Sequence, residues 1–191
     1  MRKLLRHWEF ILLILLVGVF ILMSNLSPYF LNLRNLLDST VHFTEKGVIA
    51  VCMAFIIISG NMDLSVASNM AMSAAVMGIA FRSGIGIWPS ALLCLLVGMA
   101  GGLFNGLIIT RVKLPAMVAT LATFSLYRGI AYVLLGNQAI TGYPYEFATL
   151  GQGYFPGTNI PNQFVIFIAL AVIFGFILHK TTFGRSVYAI G

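Results

Sequence analysis

The stretch Gly47–Phe81, "GVIAVCMAFIIISGNMDLSVASNMAMSAAVMGIAF", carries a single charged residue, Asp63. Two uncharged runs flank it, Gly47–Met62 and Leu64–Phe81. Each approaches the roughly 20 apolar residues that a helix needs to cross a bilayer. A carboxylate in such surroundings is costly unless it is neutralised, paired or wetted. Asp63 therefore stands either at a turn between two helices or in a working part. Outward from it the texture repeats: Phe10–Leu33, Ser83–Thr110, Gly129–Tyr145 and Phe147–His179 contain no Asp, Glu, Lys or Arg. Of the 191 residues, 60% are hydrophobic and 8% charged, where a soluble domain carries about a quarter charged. The fold class is an all-α polytopic membrane protein, with residues 1–191 forming one transmembrane domain.

The net charge of +6 comes from eleven Lys and Arg set in ones and twos at the ends of apolar runs. There is no basic stripe interleaved with aromatics, so nucleic acid is not a partner. Membrane lipid is, and the cations act as topological anchors. Cys52 and Cys94 lie inside apolar segments and read as small packing residues. The N-terminus, "MRKLLRHWEFILLILLVGVFILMSNLSPYF", has the basic start and apolar core of a secretory signal but no small-residue cleavage site. Phe10 to about Leu26 is then an uncut first span, with Arg2, Lys3 and Arg6 holding its start in the cytoplasm.

Six spans fit the punctuation. Ser27-Pro28 ends the first. The charged, amphipathic "NLRNLLDSTVHFTEKG" leads into a second that ends near Gly60. Gly60-Asn61 uses turn chemistry, and a third span runs from about Ser65 to Phe81. "RSGIGIWPS" is a loop with an interfacial Trp88 and a helix-starting Pro89. The fourth span runs to about Thr110, and Pro115 opens the fifth, which ends near Gly136. Residues 137–161 form one long loop, and Asn162 to about Leu178 is the sixth span. With the N-terminus cytoplasmic, Arg111, Lys113, Lys180 and Arg185 fall inside and the 137–161 loop is periplasmic. Arg34 and Arg82 then fall outside, against the charge rule. Small residues at four-residue spacing predict packing ridges: Ala67, Ala71 and Ala75 on span three, and Gly98, Gly102 and Gly106 on span four.

The chain has no phosphate-binding G-x-x-x-x-G-K-[ST], no zinc-spaced His/Cys cluster among His7, His42 and His179, no G-x-S-x-G and no close acid pair. It reads as no enzyme, with no catalytic or metal residues. The chemistry left is polar groups within spans: Asp63 with Ser65 and Ser68, Asn105, Thr120, Thr123, Ser125 and Arg128. Arg128 either snorkels toward the outer interface or faces a polar path. Asn105 either bonds across to a neighbouring helix or lines that path.

These residues then resemble a family. "SGNMDLSVASNMAMSA" resembles the signature S-G-G-I-D-L-S-V-G-S of the sugar-type ABC importer permeases, the ribose, xylose, arabinose, rhamnose and autoinducer-2 systems. "GGLFNGLIITRVKLPAMVATLATFSLYRGIAYVLLGN" is similar to the family's next signature, with its N-G, K-x-P, A-T-L and Y-R-G elements in order. "HKTTFGRSVYAIG" matches its x-T-x-F-G-R-x-x-Y-A-x-G segment. The resemblance implies a permease subunit paired with a second one, homo- or heterodimeric. It implies an ATPase on the cytoplasmic side, which uses the ATP so that this chain holds no cofactor, and a periplasmic sugar-binding protein outside. It further implies that 179–191 begins the cytoplasmic coupling segment, with Gly184, Arg185, Tyr188 and Gly191 at its start. Asp63, Ser65, Ser68, Asn105 and Arg128 are expected near the substrate path.

Two departures from the signature stand out. One glycine has become Asn61, which tolerates a left-handed turn, and another has become Ala67. Family members are also longer than this chain, which implies the N-terminal portion of a larger helical bundle. The alternatives are an ATP-independent secondary transporter or channel with Asp63 and Arg128 as ion sites, or a fragment of a permease that transports nothing. Asp63 itself is expected to cap span three through backbone N–H groups. The alternative is a deeper break that faces the path.

Overall fold

The computed structural model describes residues 8–136 and 138–191. Arg2, Lys3, Arg6 and His7, on which part of the expected orientation rests, lie outside the described residues. Eight helices follow in order: α1 Trp8–Leu26, α2 Leu33–Ile58, α3 Val66–Arg82, α4 Ile87–Arg111, α5 Ala116–Leu135, α6 Tyr145–Gln152, α7 Asn162–Lys180 and α8 Thr182–Ile190. α2, α4, α5 and α7 are long and apolar enough to cross a membrane, while Phe10–Leu26 within α1, and α3, are shorter apolar helical stretches.

Local chemistry sets most helix boundaries. Asn32 opens α2 by accepting a bond from the Arg34 backbone N at 3.0 Å. The charged segment before span two is no separate element. It is the first half of α2, whose 26 residues extend about 39 Å. α2 ends with Gly60 at φ +76°, and the Asn61 N–H reaches back to the Ile56 carbonyl at 3.1 Å. That is the glycine-terminated C-cap in which orphan carbonyls are satisfied. The left-handed residue is therefore Gly60, not Asn61 as expected, which is why the family's second glycine is dispensable here. Gly84, at φ +89°, ends α3 in the same way. Pro115, Pro144 and Pro161 each stand just before a helix. Their missing N–H costs nothing there. The long loop is not irregular throughout, because α6 lies within it.

The helices form two packed groups. In one, α3 lies between α4 and α5. In the other, α2 packs along α7, which also meets α6 and α8. α1 is apolar around its circumference and meets the chain through Phe20, whose ring stands edge-on to Phe30 at 5.2 Å. The groups join at both ends. At one end the Thr120 hydroxyl reaches the Met62 carbonyl, next to the turn where Gly191 lies against Gly60 and Ile58. The α4–α5 turn with Arg111 and Lys113 belongs to this end. At the other, Tyr143 packs on Phe81 at 5.3 Å, Trp88 meets Phe147 at 6.1 Å, and Arg82 donates to Gln138 Oε1 at 2.6 Å. Here too Tyr154 donates to Asp38 at 2.7 Å and Arg34 stands over the Tyr154 ring. The two cations that run against the charge rule, Arg34 and Arg82, are thus both engaged by residues 138–161.

Candidate functional site: the α2–α3 turn and the α3–α4–α5 seam

Asp63 sits between the capped end of α2 and the start of α3. Its Oδ1 accepts from the Ser65 backbone N at 2.8 Å and from the Ser65 hydroxyl at 2.7 Å. A carboxylate that accepts bonds from its own backbone two residues on is a turn-former, and charge makes such bonds the stronger kind. Ser65 occupies the N-cap position with nearly helical dihedrals, and its side chain caps no backbone N–H. The Ser65 hydroxyl serves instead as a relay, because it also accepts from Asn105 Nδ2 at 2.7 Å. Asn105 Oδ1, at 3.3 Å, shares the single proton of the Tyr127 hydroxyl with the Gly101 carbonyl, which lies closer at 2.8 Å. One chain of bonds, Asp63–Ser65–Asn105–Tyr127, therefore ties the turn to α3, α4 and α5.

Ser65, Asn105 and Tyr127 are all buried. Unpaired, such groups would each cost about 1–3 kcal/mol. Ser68 is fully buried, and its hydroxyl donates back to the Ser65 carbonyl at 2.7 Å. Thr120 and Thr123 likewise bond carbonyls of their own helix. Asn69 spans the seam by donating to the Gly98 carbonyl at 3.0 Å, and its Oδ1 is buried without a partner.

The structure brings Asp63, Ser65, Ser68 and Asn105 together and leaves Arg128 apart. α3 and α5 start at the same end, and Arg128 lies eight residues beyond Thr120, or about 12 Å along the axis. No Asp63–Arg128 pair forms. Among the described residues the ion pair is Arg34–Asp38, at 4.0 Å. Arg128 is exposed, with its guanidinium over the Tyr132 ring at 5.5 Å.

The ridge expected from Gly98, Gly102 and Gly106 is not the contact face. Four-residue steps drift about 40° around a helix of 3.6 residues per turn, so the later glycines climb out of the seam. Gly102 and Gly106 have nothing within 4 Å of where a Cβ would stand. The face that meets α3 carries Gly98, Gly101 and Asn105. A Cβ at Gly101 would meet Asn69 Cγ at 3.0 Å, and one at Gly98 would meet Ser73 Oγ at 3.3 Å. On α3, Ala75 is buried and Ala71 partly so, while Ala67 is exposed. The buried face includes Ser68, Met72 and Ser73 instead. Asn69 and Tyr127 were the residues missed. Asn69 follows Ser65 by one helical turn on α3, and Tyr127 lies four residues past Thr123 on α5, so each was readable as part of a polar stripe on its own helix.

At the end of the chain, Thr181 opens α8 by accepting from the Gly184 N–H at 3.3 Å. Gly184 lies so close to the Leu178 carbonyl that no side chain fits, and Gly191 is pressed in the same way against the Ile58 carbonyl. Phe183 stacks on Phe55 at 6.1 Å, and Tyr188 meets His179. Arg185 is exposed.

Helices of this length and hydropathy, a buried polar seam and a short amphipathic helix at one end define a multi-pass membrane protein. The chain belongs to the family described as the permease component of branched-chain amino acid transport systems, whose model matches residues 35–191. Its relatives include the autoinducer 2 import system permease protein LsrD of Klebsiella pneumoniae, 33% identical with 99% of this chain and 58% of the relative aligned. The ribose import permease protein RbsC of Bacillus subtilis is 38% identical, over 92% of this chain and 55% of the relative. The LsrD protein of Escherichia coli K12 is 34% identical, over 96% and 57%. The chain thus spans somewhat more than half the length of these curated relatives. No solved structure matches it. The protein is a multi-pass component of the bacterial inner membrane.

Proposed function

We propose that the chain is a transmembrane subunit of an ABC importer that carries a sugar or sugar-like small molecule across the bacterial inner membrane. A separate ATPase subunit supplies the energy. The observation that carries this reading is the permease-family match over residues 35–191, with relatives named for import of ribose and autoinducer 2. The N-terminus is cytoplasmic, the loop 137–161 is periplasmic and faces a sugar-binding protein, and 179–191 begins the cytoplasmic coupling segment. A second permease subunit completes the pathway.

In this reading the ATPase pushes on α8. Gly184 and Gly191 let α8 lie flush on the ends of α7 and α2, so its displacement bears directly on the turn at Ser59–Gly60. The bonds from Asp63 through Ser65 to Asn105 and Tyr127 make α3, α4 and α5 one unit, which then moves against α2 and α7. Alternating access of this rigid-body kind needs two discrete packings rather than continuous deformation. Ser65, Ser68 and Asn105 serve that unit from within the seam, and Arg128 faces an open pocket. A neutral, hydroxyl-rich substrate suits a path with few charges.

The test is affinity purification from the native host followed by reconstituted uptake. An ATPase subunit is expected to co-purify, and sugar uptake is expected to stop without ATP. Uptake that persists without ATP and follows an ion gradient would overturn the reading in favour of a secondary transporter.

A further inference from the structure

Arg128 sits seven residues before the end of α5, about 10 Å below it along the axis. It is flanked by the uncharged runs Leu114–Tyr127 and Gly129–Tyr145. A cation at that depth is costly without a counterpart. Among the described residues it makes no ion pair and no hydrogen bond; its guanidinium lies over the Tyr132 ring. It lines a pocket of about 270 Å³ between α3 and α5, together with Ala71, Ala131, Tyr132, Leu135 and Gln138. Gln138, at the rim, has its carbonyl oxygen held by Arg82. That fixes the amide so that its nitrogen is left for another partner. Neither this nitrogen nor the Tyr132 hydroxyl has a hydrogen-bond partner among the described residues.

The pocket therefore sets three donors without partners among the described residues, on Arg128, Gln138 and Tyr132, beside an apolar floor of Ala71 and Ala131, with Leu135 at its mouth. The ring beneath the guanidinium orients its N–H edge, the planar multi-donor fork that suits closely spaced oxygens. A ligand that matches has several acceptor oxygens on one side and C–H groups on the other. The volume lies just under the roughly 300–1,000 Å³ of sites for drug-sized ligands, which suits a monosaccharide-sized molecule. A phospholipid phosphate offers oxygens to the same guanidinium, and an apolar hollow lined by Leu126, Ile130 and Val133 lies on the same helix. The two uncharged donors beside Arg128 favour a hydroxyl-rich ligand, and the test varies the lipid as well as the sugar. We infer that Arg128, Tyr132 and Gln138 form an outer-mouth subsite that takes a monosaccharide-like substrate before it enters the helix bundle. The inference deepens the importer reading and rests on it for the direction of transport.

The test uses the full chain in lipid nanodiscs, in a Cys52→Ala/Cys94→Ala background with Leu135→Cys as a reporter at the pocket mouth. Labelling by a water-soluble thiol reagent is followed with D-ribose, D-xylose, L-arabinose or L-rhamnose present. At least one sugar is expected to slow labelling by the occupancy factor, about threefold at twice its Kd, and Arg128→Gln is expected to abolish that protection. Labelling unaffected by all four sugars would overturn the subsite. So would protection that follows the fraction of anionic phosphatidylglycerol in the nanodisc rather than sugar. Two further outcomes separate the subsite from the importer reading. ATP-driven uptake of a sugar whose KM is unchanged by Arg128→Gln overturns the subsite and leaves the importer standing. Sugar protection without ATP-driven uptake in the assembled complex does the reverse.

Discussion

Replacing Ser65 with alanine tests the bonded chain at its centre. The Ser65 hydroxyl donates to Asp63 at 2.7 Å and accepts from Asn105 at 2.7 Å. Ser65→Ala leaves the Asn105 amide nitrogen buried without a partner, while Asp63 keeps the bond from the Ser65 backbone N–H. An orphaned buried donor costs about 1–3 kcal/mol. A loss of about 2 kcal/mol corresponds to roughly 4–8 °C in Tm for a chain of this length. Asn105→Ala removes the same bond from the other side and also leaves a small void, so its cost is similar, at about 2 kcal/mol. The double variant loses the shared bond once and orphans nothing on Asn105. Its cost should fall short of the sum by about 1 kcal/mol. The assay is thermal unfolding of all four proteins in one detergent, read by circular dichroism. Strictly additive losses would refute the relay, because they would mean that Ser65 and Asn105 do not share an interaction in the folded chain.

Asp63→Asn should be milder than Asp63→Ala by about 1 kcal/mol in unfolding, since an amide oxygen still accepts from the Ser65 N–H; equal losses would remove the turn-forming role. Gly101→Ala should lower Tm because its Cβ meets the Asn69 side chain. Gly102→Ala should leave Tm unchanged or raise it, by up to about 1 kcal/mol of helix propensity, and the reverse order would refute the seam assignment. Gly184→Ala should unseat α8 from the Leu178 carbonyl, read as faster proteolysis after Lys180 and Arg185 in detergent. Cleavage at the parental rate would show that α8 does not need this close approach.

Spans and their ends were readable because they follow from short-range chemistry. Lack of charge over Ser83–Thr110 dictates a helix in lipid whatever it packs against. Pro28, Gly60, Pro115 and Pro161 stop or start helices through their own backbones. The merging of the charged 33–46 segment with the second span was less visible, since Gly47 stands between them, where an isolated glycine is tolerated within a helix, and only continuous hydrogen bonding decides it. α6 was hidden for a related reason. Eight residues among glycines and prolines carry a weak periodic signal, and contact with α7 and the ring of Trp88 holds them.

Asp63 shows where each level of information ends. The sequence alone determined that it is a carboxylate between two apolar helices, with a glycine three residues before it and a serine two residues after it. That pattern suffices for a turn. Only the tertiary structure decided that the serine hydroxyl turns inward to Asn105, that Tyr127 completes the chain of bonds, and that Arg128 belongs to a different pocket. The reason is geometric. Spacing along one helix assigns residues to a face, but which face is buried depends on where two other helices lie. The drift of Gly102 and Gly106 out of the seam that holds Gly98 is the same lesson on α4, where close contact with Asn69 selects Gly101 and the regular spacing does not.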